Sequence, residues 1–559
     1  MSSKIAFVTY ETPFAPCGGI AAVMGRLPGY VEKASSLDTV VITPFHHIIE
    51  KTSSLESKME LIADIDIPFD NKNVRVNLYR YDDNRYEWRW YFLKPLDTRF
   101  FAGKRHPYDV VEAKDKNSRN LLRDSLFFGS VVARVLPLID QETRWKLMLQ
   151  DWEAATTALA LADQDGDHKL YLTLHNSYDS GVTDADLSRV GIDPASCPGG
   201  TVLQRALPLV ERTIFTVSAQ FALDLTEDVF QADVMAPHLK DELKPRLLGV
   251  DNGLFANLAL GNDIVSEMMR GNFAPVQEWK NIRRREALQA LDKFVPSAEK
   301  PIWGNLKKFK RDDSPWFVLA GRDDPRQKGY DVAVNAIADF LEQGGKARFL
   351  FFPIPGDEGL EGLFFLKRLS GKFPESVLVL PFLFQEGFFA ALQGATYGVM
   401  PSLYEPFGMA NEFYLNGTVG IGRATGGIIQ QIIPFRAALS FSRAVKVRTD
   451  PWHAASAKPT GILFRERDDI GSAADDWRGI NAAEYNIKDR NLDRVEQRKR
   501  YPLFQSMADE LRLSIIDGVR VYKESPELYY SMLAEGISYI RQCFSWERAA
   551  QEYVRNLQE

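Results

Sequence analysis

Two glycine-rich turns in the sequence could bind an anion. Gly18 and Gly19 follow the apolar run Ile5–Tyr10 and precede a helical pattern, and Gly426 and Gly427 also open a helical pattern after an apolar run. Glycine lets backbone N–H groups approach a ligand closely, and the start of a helix favours negative charge. Such a turn can equally be no more than a tight strand-to-helix connection. Further residues are therefore needed to indicate a site.

A carboxylate accompanies the second turn. Glu405 lies in the run PSLYEPFGM (residues 401–409), about twenty residues before ATGGI. A carboxylate beside a glycine-rich turn can accept hydrogen bonds from sugar hydroxyls while nearby N–H groups hold the ring and a phosphate. Glu405 could instead cap the helix that follows, because an acidic residue near a helix start is favourable. A second glycine-rich turn of this kind strengthens the case for a binding site.

Short apolar runs alternate with amphipathic helical stretches along the chain. The strands and helices that they predict must position the glycine-rich turns and Glu405. The runs are Ile5–Tyr10, Val40–Thr43, Tyr171–Leu174, Ile214–Val217, Trp316–Ala320, Arg348–Phe352 and Ser376–Leu380. Such runs are typical of strands buried on both faces of a parallel sheet. The pattern predicts an α/β fold with two doubly wound lobes, whose ligands bind on the loops after the strands.

The length of 559 residues allows two large domains. We predict an N-terminal Rossmann-like domain over 1–265, a charged linker region over 266–313 and a C-terminal Rossmann-like domain over 314–528. An insertion is expected at about 465–500, for which the sequence suggests no function. The terminal helical segment, 529–559, is predicted to pack back on the N-terminal domain.

Taken together, the motifs resemble those of the glycogen and starch synthase family, in the family's order. PSLYEPFGM with ATGGI is similar to its donor-site signature. The other matching segments are ETPFAPCGGIAAVMGRLP, WYFLKPLDTRFF, DWEAATTAL, LTLHNSYDSG, TVSAQFALDL, GRDDPRQKGYDV and FSWERAAQEYV. The resemblance implies a GT-B fold, with two Rossmann-like domains facing a central cleft, and retaining transfer of a hexose from a nucleotide-sugar.

The resemblance also implies roles for single residues. Arg322 and Lys328 would hold the donor diphosphate, although either alone would be expected as a solvated surface charge. Glu405 would bind the donor sugar and oppose positive charge at the reacting carbon. His175 would donate to a sugar hydroxyl through one ring nitrogen while a carbonyl orients the other, although a single histidine is usually a buried structural residue. The remaining donor contacts would come from Gly18, Gly19, Phe407, Gly408, Met409, Thr425, Gly426 and Gly427.

No second carboxylate is convincing as a nucleophile, and no metal site is predicted. Asp151 is the nearest candidate by motif, but retaining enzymes of this fold usually lack such a nucleophile, and the departing phosphate oxygen is thought to take the acceptor's proton. Asp64 and Asp66 alternate with isoleucines, which predicts the wet face of a strand. In the segment 163–167 the glycine is at the wrong position for a calcium-binding loop, and the glutamate that such a loop needs is absent from its expected position. We expect neither a metal nor a cofactor.

Five positions depart from the family pattern. One of them is in the donor motif, where Glu412 lies seven residues after Glu405 and Phe413 stands at the eighth position, at which related families have an acidic residue. Pro16 stands where a basic residue is expected, Glu153 where histidine or glutamine is common, Leu248 where asparagine is common and Gln430 where aspartate is common. The donor nucleotide, the sugar and the acceptor are therefore left open.

Composition excludes other classes of protein. The formal charge is −7 and the basic residues are scattered, so nucleic acid is not an expected partner. Cys17, Cys197 and Cys543 have no metal-ligand spacing and suit a reducing compartment. Neither a signal-peptide pattern nor a run of about 18 apolar residues is found, so we expect a cytoplasmic protein without a membrane partner. The sequence does not indicate an oligomeric state.

Three functions are compatible with the motifs. The first is a working transferase whose acceptor is an α-glucan or a smaller hydroxyl compound. The second is a carbohydrate- or nucleotide-binding protein of the same fold without catalysis, and the joint presence of Glu405, Arg322, Lys328 and His175 argues against it. A pyridoxal-dependent glucan phosphorylase is disfavoured because the chain has no recognisable cofactor-lysine segment.

Overall fold

The computed structural model describes residues 3–52, 54–110, 119–141, 143–164, 167–356, 358–471, 474–482 and 494–557. The chain forms two compact units. Unit 1 comprises Met1–Gly253 and Ser545–Glu559, and unit 2 comprises Leu254–Phe544. In the described residues each unit is built on one sheet with helices packed against it.

The strands are β1 (Ser3–Val8), β2 (Thr39–Pro44), β3 (Glu60–Phe69), β4 (Lys72–Tyr81), β5 (Arg89–Pro95), β6 (Arg144–Gln150), β7 (Lys169–Leu174), β8 (Ile214–Thr216), β9 (Leu247–Gly249), β10 (Trp316–Arg322), β11 (Arg348–Ile354), β12 (Val377–Val379), β13 (Tyr397–Met400), β14 (Val419–Arg423) and β15 (Ile462–Phe464).

The α-helices are α1 (Gly19–Met24), α2 (Leu27–Ser35), α3 (His47–Thr52), α4 (Asn120–Ile139), α5 (Asp151–Leu161), α6 (Asp184–Arg189), α7 (Val202–Ala206), α8 (Ala219–Glu227), α9 (Lys240–Leu243), α10 (Asn262–Met269), α11 (Ala274–Lys293), α12 (Tyr330–Glu342), α13 (Phe364–Lys372), α14 (Phe388–Gly394), α15 (Ala410–Leu415), α16 (Gly426–Gln431), α17 (Arg443–Thr449), α18 (Asp468–Gly471), α19 (Ala474–Ala482), α20 (Arg494–Arg498), α21 (Pro502–Glu524), α22 (Pro526–Cys543) and α23 (Trp546–Arg555).

The sheet of unit 1 has the order β3-β4-β5-β2-β1-β6-β7-β8-β9. All pairs from β5 to β9 are parallel, whereas β3, β4 and β5 pair antiparallel at one edge. The parallel core follows from runs such as Ile5–Val8, in which every residue is fully buried, so both faces of the strand are covered. The predicted parallel strands of the first lobe are confirmed, and the antiparallel edge is an addition that the sequence analysis did not predict.

The sheet of unit 2 has the order β12-β11-β10-β13-β14-β15, and every pair is parallel. The central strand β10 is flanked by β11 and β13, so its end and that of β13 lie next to each other. Ligands of open α/β sheets bind where the strand order reverses in this way. The predicted second α/β lobe is confirmed.

The units are divided at positions other than the predicted domain limits. Much of the predicted linker region, 266–313, is helical and belongs to unit 2. There the buried Lys280 of α11 donates to three backbone carbonyls, those of Gln393, Ala395 and Gly417, at 3.2, 2.5 and 2.5 Å. Within the predicted terminal segment, α22 belongs to unit 2 and only α23 to unit 1.

Helix α23 completes the core of unit 1. The ring of Tyr553 lies 4.6 Å from that of Phe215 on β8, measured between centroids. Trp546 packs so closely on Gly253 that a Cβ there would overlap it. Since both aromatic residues of α23 are buried, the helix is an integral part of unit 1.

Smaller predictions concern the aspartates of β3, the polar segment 163–167 and membrane-spanning helices. Asp64 and Asp66 are exposed on β3 while Ile67 is buried, which confirms the wet face of a strand. In the segment 163–167, residues 165–166 lie outside the described part of the chain. In that described part, no helix is long and apolar enough to cross a bilayer.

Candidate functional site

In unit 2, loops that follow two adjacent strands bring a carboxylate and an ammonium group together. Glu405 follows β13 and is only 6% exposed. Its Oε2 accepts hydrogen bonds from Lys328 Nζ at 2.7 Å and from Ser402 Oγ at 3.0 Å, and its Oε1 accepts from Gln327 Nε2 at 3.1 Å. The charge of this buried carboxylate is thus balanced by Lys328, which the motif predicts as a phosphate ligand.

Arg322 is the second predicted cation of this unit. It is the last residue of β10 and is half-buried, and the loop that it begins leads to Lys328. Both cations therefore leave the sheet at the carboxyl end of one strand. Both side chains are long enough to turn toward a shared anion at this edge.

The second glycine-rich turn supports the backbone of Glu405. Gly427 N–H donates to the Glu405 carbonyl at 3.1 Å. Gly426 has a φ of +47° and lies so close to the same carbonyl that a Cβ would overlap it. Only glycine satisfies both demands. Thr425 precedes this pair, and its N–H donates to the Arg423 carbonyl at 2.8 Å.

The other predicted donor residues of unit 2 lie on the Glu405 loop itself. Phe407 is buried, and its carbonyl leaves no room for a Cβ at Gly427. Gly408 has a φ of +88°, and the half-buried Met409 precedes α15. The structure thus brings the predicted residues on this loop and the glycine-rich turn into direct backbone contact around the carboxylate.

In unit 1, Asp151 joins the ends of two neighbouring strands. It directly follows β6 with a φ of +59°, an uncommon conformation for a residue with a side chain. Its Oδ1 accepts from the N–H of His175 at 2.6 Å, and its Oδ2 accepts from Asn176 Nδ2 at 2.8 Å. Because both oxygens are engaged, Asp151 positions the residues after β7, and the geometry does not favour it as a nucleophile.

His175 is held as a neutral ring of defined orientation. Burial lowers its pKa to about 3. Its Nε2 lies 2.8 Å from Gln150 Oε1, and Gln150 Nε2 donates to the Met148 carbonyl at 3.0 Å, which turns Oε1 toward the histidine. Nε2 therefore carries the proton and Nδ1 is the acceptor. The resemblance implied that His175 donates to a sugar hydroxyl, whereas Nδ1, the remaining ring nitrogen, suits a hydroxyl that donates.

A carboxylate that the sequence analysis missed occupies the first glycine-rich turn. Glu11 is buried, and its Oε1 accepts from the N–H groups of Cys17, Gly18 and Ala21 at 3.0, 2.6 and 3.2 Å. Its Oε2 accepts from Tyr108 at 3.1 Å. The N–H of Gly18, predicted to face donor phosphates, points to Glu11 instead. A signal was present, since Glu11 is the one acidic residue between β1 and this turn.

Glu11 belongs to a set of buried carboxyl groups in unit 1. Burial raises the pKa of Glu11, and it raises that of Asp151 to about 7. Burial also raises the pKa of Glu153 well above its usual range, and the charge of Asp151 adds to this effect. The departure at Glu153 therefore places an acid with a high proton affinity beside Asp151.

The other departures differ in setting. Pro16 is exposed, whereas Gln430 is buried on α16 and its carbonyl accepts from Tyr539 at 2.8 Å. Leu248 is half-buried on β9. Gly19 is exposed, and a Cβ at this position would meet no atom within 4 Å. Gly19 therefore leaves room for a larger side chain, and Pro16 is the one exposed position among the departures.

Comparison with known proteins matches the chain to starch and glycogen synthases. Residues 4–239, which lie within unit 1, match the family model of the starch synthase catalytic domain. The glycogen synthase of Thermosipho melanesiensis is 24% identical over 455 residues, covering 77% of this chain and 85% of that protein. The glycogen synthase of Alkaliphilus metalliredigens is 24% identical over 449 residues, covering 76% and 84%.

Solved structures agree on the fold. The catalytic domain of starch synthase IV from Arabidopsis thaliana, bound to ADP and acarbose, superposes with a TM-score of 0.59 at 15% identity, covering 95% of this chain and 100% of that one. Sucrose-phosphate synthase from Thermosynechococcus elongatus gives 0.51 at 15% identity, covering 99% and 98%. The fold is that of GT-B glycosyltransferases. Within this class, the chain is similar to glycogen and starch synthases, and residues 4–239 carry the match to the starch synthase family model.

Proposed function

We propose that this protein transfers a hexose, glucose in the simplest case, from ADP- or UDP-glucose to a hydroxyl of an α-glucan or a smaller acceptor, with retention of configuration and in the cytoplasm. The observation that carries the proposal is the contact of Lys328 with Glu405, supported by Ser402 and Gln327. This contact joins a phosphate-binding and a sugar-binding group at one sheet edge.

The proposed transfer needs only the side chains of Arg322, Lys328 and Glu405 and the two substrates. The bond between C1 of the sugar and the phosphate oxygen breaks, and an acceptor oxygen bonds to C1 on the same face. Arg322 and Lys328 stabilise the negative charge that grows on the leaving phosphate, and Glu405 opposes the positive charge at C1. The acceptor's proton passes to the departing phosphate oxygen. We propose that neither a metal nor a prosthetic group takes part.

The ion pair of Lys328 and Glu405 is suited to donor binding because it is only partly shielded from solvent. The Lys328 side chain is 25% exposed, whereas that of Glu405 is 8% exposed. A diphosphate that reaches Lys328 would share its ammonium group, while Glu405 would keep the hydrogen bonds from Ser402 and Gln327 and turn toward sugar hydroxyls. Charge-assisted contacts of this type are the strongest available to such a ligand.

A second candidate function is favoured by the glycine-rich turn of unit 1. Because Glu11 accepts three of its N–H groups, and because Pro16 replaces the expected cation, this turn offers fewer contacts to a donor phosphate. A binding protein without catalysis would tolerate this loss. Turnover, and not binding, separates the two candidates.

The test is a screen of nucleotide-sugars for slow hydrolysis, followed by mass spectrometry of products formed with maltooligosaccharide and small hydroxyl acceptors. We expect one donor to be turned over, the product to keep the donor's anomeric configuration by NMR, and a chelator to have no effect. Nucleoside diphosphate binding without turnover of any donor would favour the binding protein. Absence of both would refute the two candidates together.

A further inference from the structure

Two arginines one turn apart on α20 lie in the interior of unit 2. The side chains of Arg494 and Arg498 are 2% and 0% exposed. Residues four apart share a helix face, so both point the same way. Arg494 Nη2 donates to Asp323 Oδ1 at 2.9 Å, and Arg498 Nη1 donates to Asp331 Oδ2 at 2.8 Å. Two buried cations are thus matched by two buried carboxylates.

The two aspartates lie at either end of the loop that carries the predicted phosphate ligands. Asp323 is the residue after Arg322, and Asp331 comes three residues after Lys328 in the first turn of α12. Between them, Gln327 and Lys328 contact Glu405. Helix α20 therefore holds both ends of the loop 323–331.

The arginines are themselves fixed by other elements. The guanidinium of Arg494 lies 4.8 Å from the ring centroid of Phe365 on α13. Arg498 Nε donates to the Ile480 carbonyl of α19 at 3.0 Å. Burial disfavours the charged form of Asp331, but Arg498 and Arg494 outweigh this and keep its pKa below the usual value. The contact persists as an ion pair at neutral pH.

We propose that Arg494 and Arg498 are positioning residues for donor binding, which aim Arg322 and Lys328 by holding both ends of the loop 323–331. The proposal rests on the proposed function and assigns a role to the segment at about 465–500. Because the ion pairs of both arginines hold the ends of the donor loop, loss of either arginine should weaken donor binding and leave acceptor binding unchanged.

The test compares Arg494→Met with the matched control Arg348→Met. Arg348 is also buried, and it pairs with Asp312 and donates to the Lys310 carbonyl at 3.0 Å, but it begins β11 and so lies at the opposite end of the sheet. Both variants should lower the melting temperature. Only Arg494→Met should raise the Kd for ADP or UDP and the donor KM, by roughly tenfold or more, because small misplacements of binding groups are costly.

Amide hydrogen exchange of residues 324–328 provides a second readout that needs no substrate. Lys328 N–H donates to the Asp324 carbonyl at 2.9 Å, and this N–H should exchange faster in Arg494→Met but not in Arg348→Met. If Arg494→Met does not fold, Arg494→Lys is the alternative. It keeps the charge but loses the planar contact in which Nη1 and Nη2 of Arg494 donate to the two carboxylate oxygens of Asp323, at 3.4 and 2.9 Å, and it should show the same change to a smaller extent.

The inference would be overturned by unchanged exchange of the loop, by the same change in Arg348→Met, or by an acceptor KM that rises as much as the donor KM. If the wild-type protein binds neither ADP nor UDP, the proposed function fails and this inference fails with it. If the wild type binds and turns over a donor but the arginine variants bind it equally well, only the inference fails.

Discussion

Replacement of the buried acid Glu153 by glutamine should stabilise the protein at high pH and have little effect at low pH. Glu153 is 6% exposed, and its pKa is raised well above the usual range by burial and by the charge of Asp151. An acid whose pKa is higher in the folded than in the unfolded state binds more protons when folded. Stability is then lost as the pH rises above the unfolded value of about 4.3.

The neighbouring Asp151, which is also buried, indicates the order of magnitude of the free-energy change for a buried carboxyl group in unit 1. Its pKa rises from 3.8 to about 7, which corresponds to ~4 kcal/mol of unfolding free energy at 1.36 kcal/mol for each unit. We expect about half of this, ~2 kcal/mol, from Glu153→Gln at pH 8, because water penetration and relaxation weaken the cost of buried charge. At pH 5 the gain in unfolding free energy should stay below ~1 kcal/mol, because this pH is only slightly above the pKa of the unfolded acid.

Scanning calorimetry at pH 5 and pH 8 measures this difference. A gain of ~2 kcal/mol should raise the melting temperature of unit 1 by several degrees at pH 8. Glu60→Gln, at an exposed position on β3, is the control and should have little effect at either pH, because its ion pair with Arg80 is exposed to solvent. An equal shift at both pH values, or no shift at pH 8, would refute the assignment of Glu153 as a buried acid of raised pKa.

Three further predictions concern the donor side. Glu405→Ala and Lys328→Ala should each lower turnover by roughly two to three orders of magnitude with the fold retained by circular dichroism, and full activity in either would place the donor site elsewhere. Pro16→Lys should be tolerated, because Pro16 is exposed, and should tighten nucleoside diphosphate binding by up to about tenfold in calorimetric titration. No effect would mean that this loop does not approach the donor. Gly426→Ala should abolish activity and lower the melting temperature, because a Cβ would overlap the Glu405 carbonyl, whereas Gly19→Ala should do neither; equal effects would contradict the glycine geometry.

The parallel strands were predictable because burial on both faces demands continuous apolar runs, as in Ile5–Tyr10 and Trp316–Ala320. The antiparallel edge of β3, β4 and β5 was not predicted, because half-exposed strands such as Glu60–Phe69 carry charges that interrupt the apolar signal. The linker prediction over 266–313 relied on its charge. Helix α11 is charged on its exposed face, yet Trp279 and Leu291 are buried, so charge alone did not identify a boundary.

For the site, sequence motifs indicated Glu405 and Lys328 but not their contact, because 77 residues separate them and only the sheet order brings their loops together. Glu11 was missed because motif reasoning assigns the amides of a glycine-rich turn to a ligand and does not consider an internal carboxylate. The hydrogen-bonding role of His175 depends on Gln150, whose orientation is set by a carbonyl two residues back. These hydrogen bonds depend on how the folded chain packs and have no local sequence signature.

The return of the chain to unit 1 at Ser545 has a consequence for biosynthesis. Unit 1 is not complete until α23 has packed on the strand that contains Phe215, and all of Leu254–Phe544 is translated in between. At ~5–20 residues per second, this interval is on the order of tens of seconds. During it, the apolar surface that Trp546 and Tyr553 later cover is open to chaperones and to aggregation, so the yield of native protein should depend on how the nascent chain is protected.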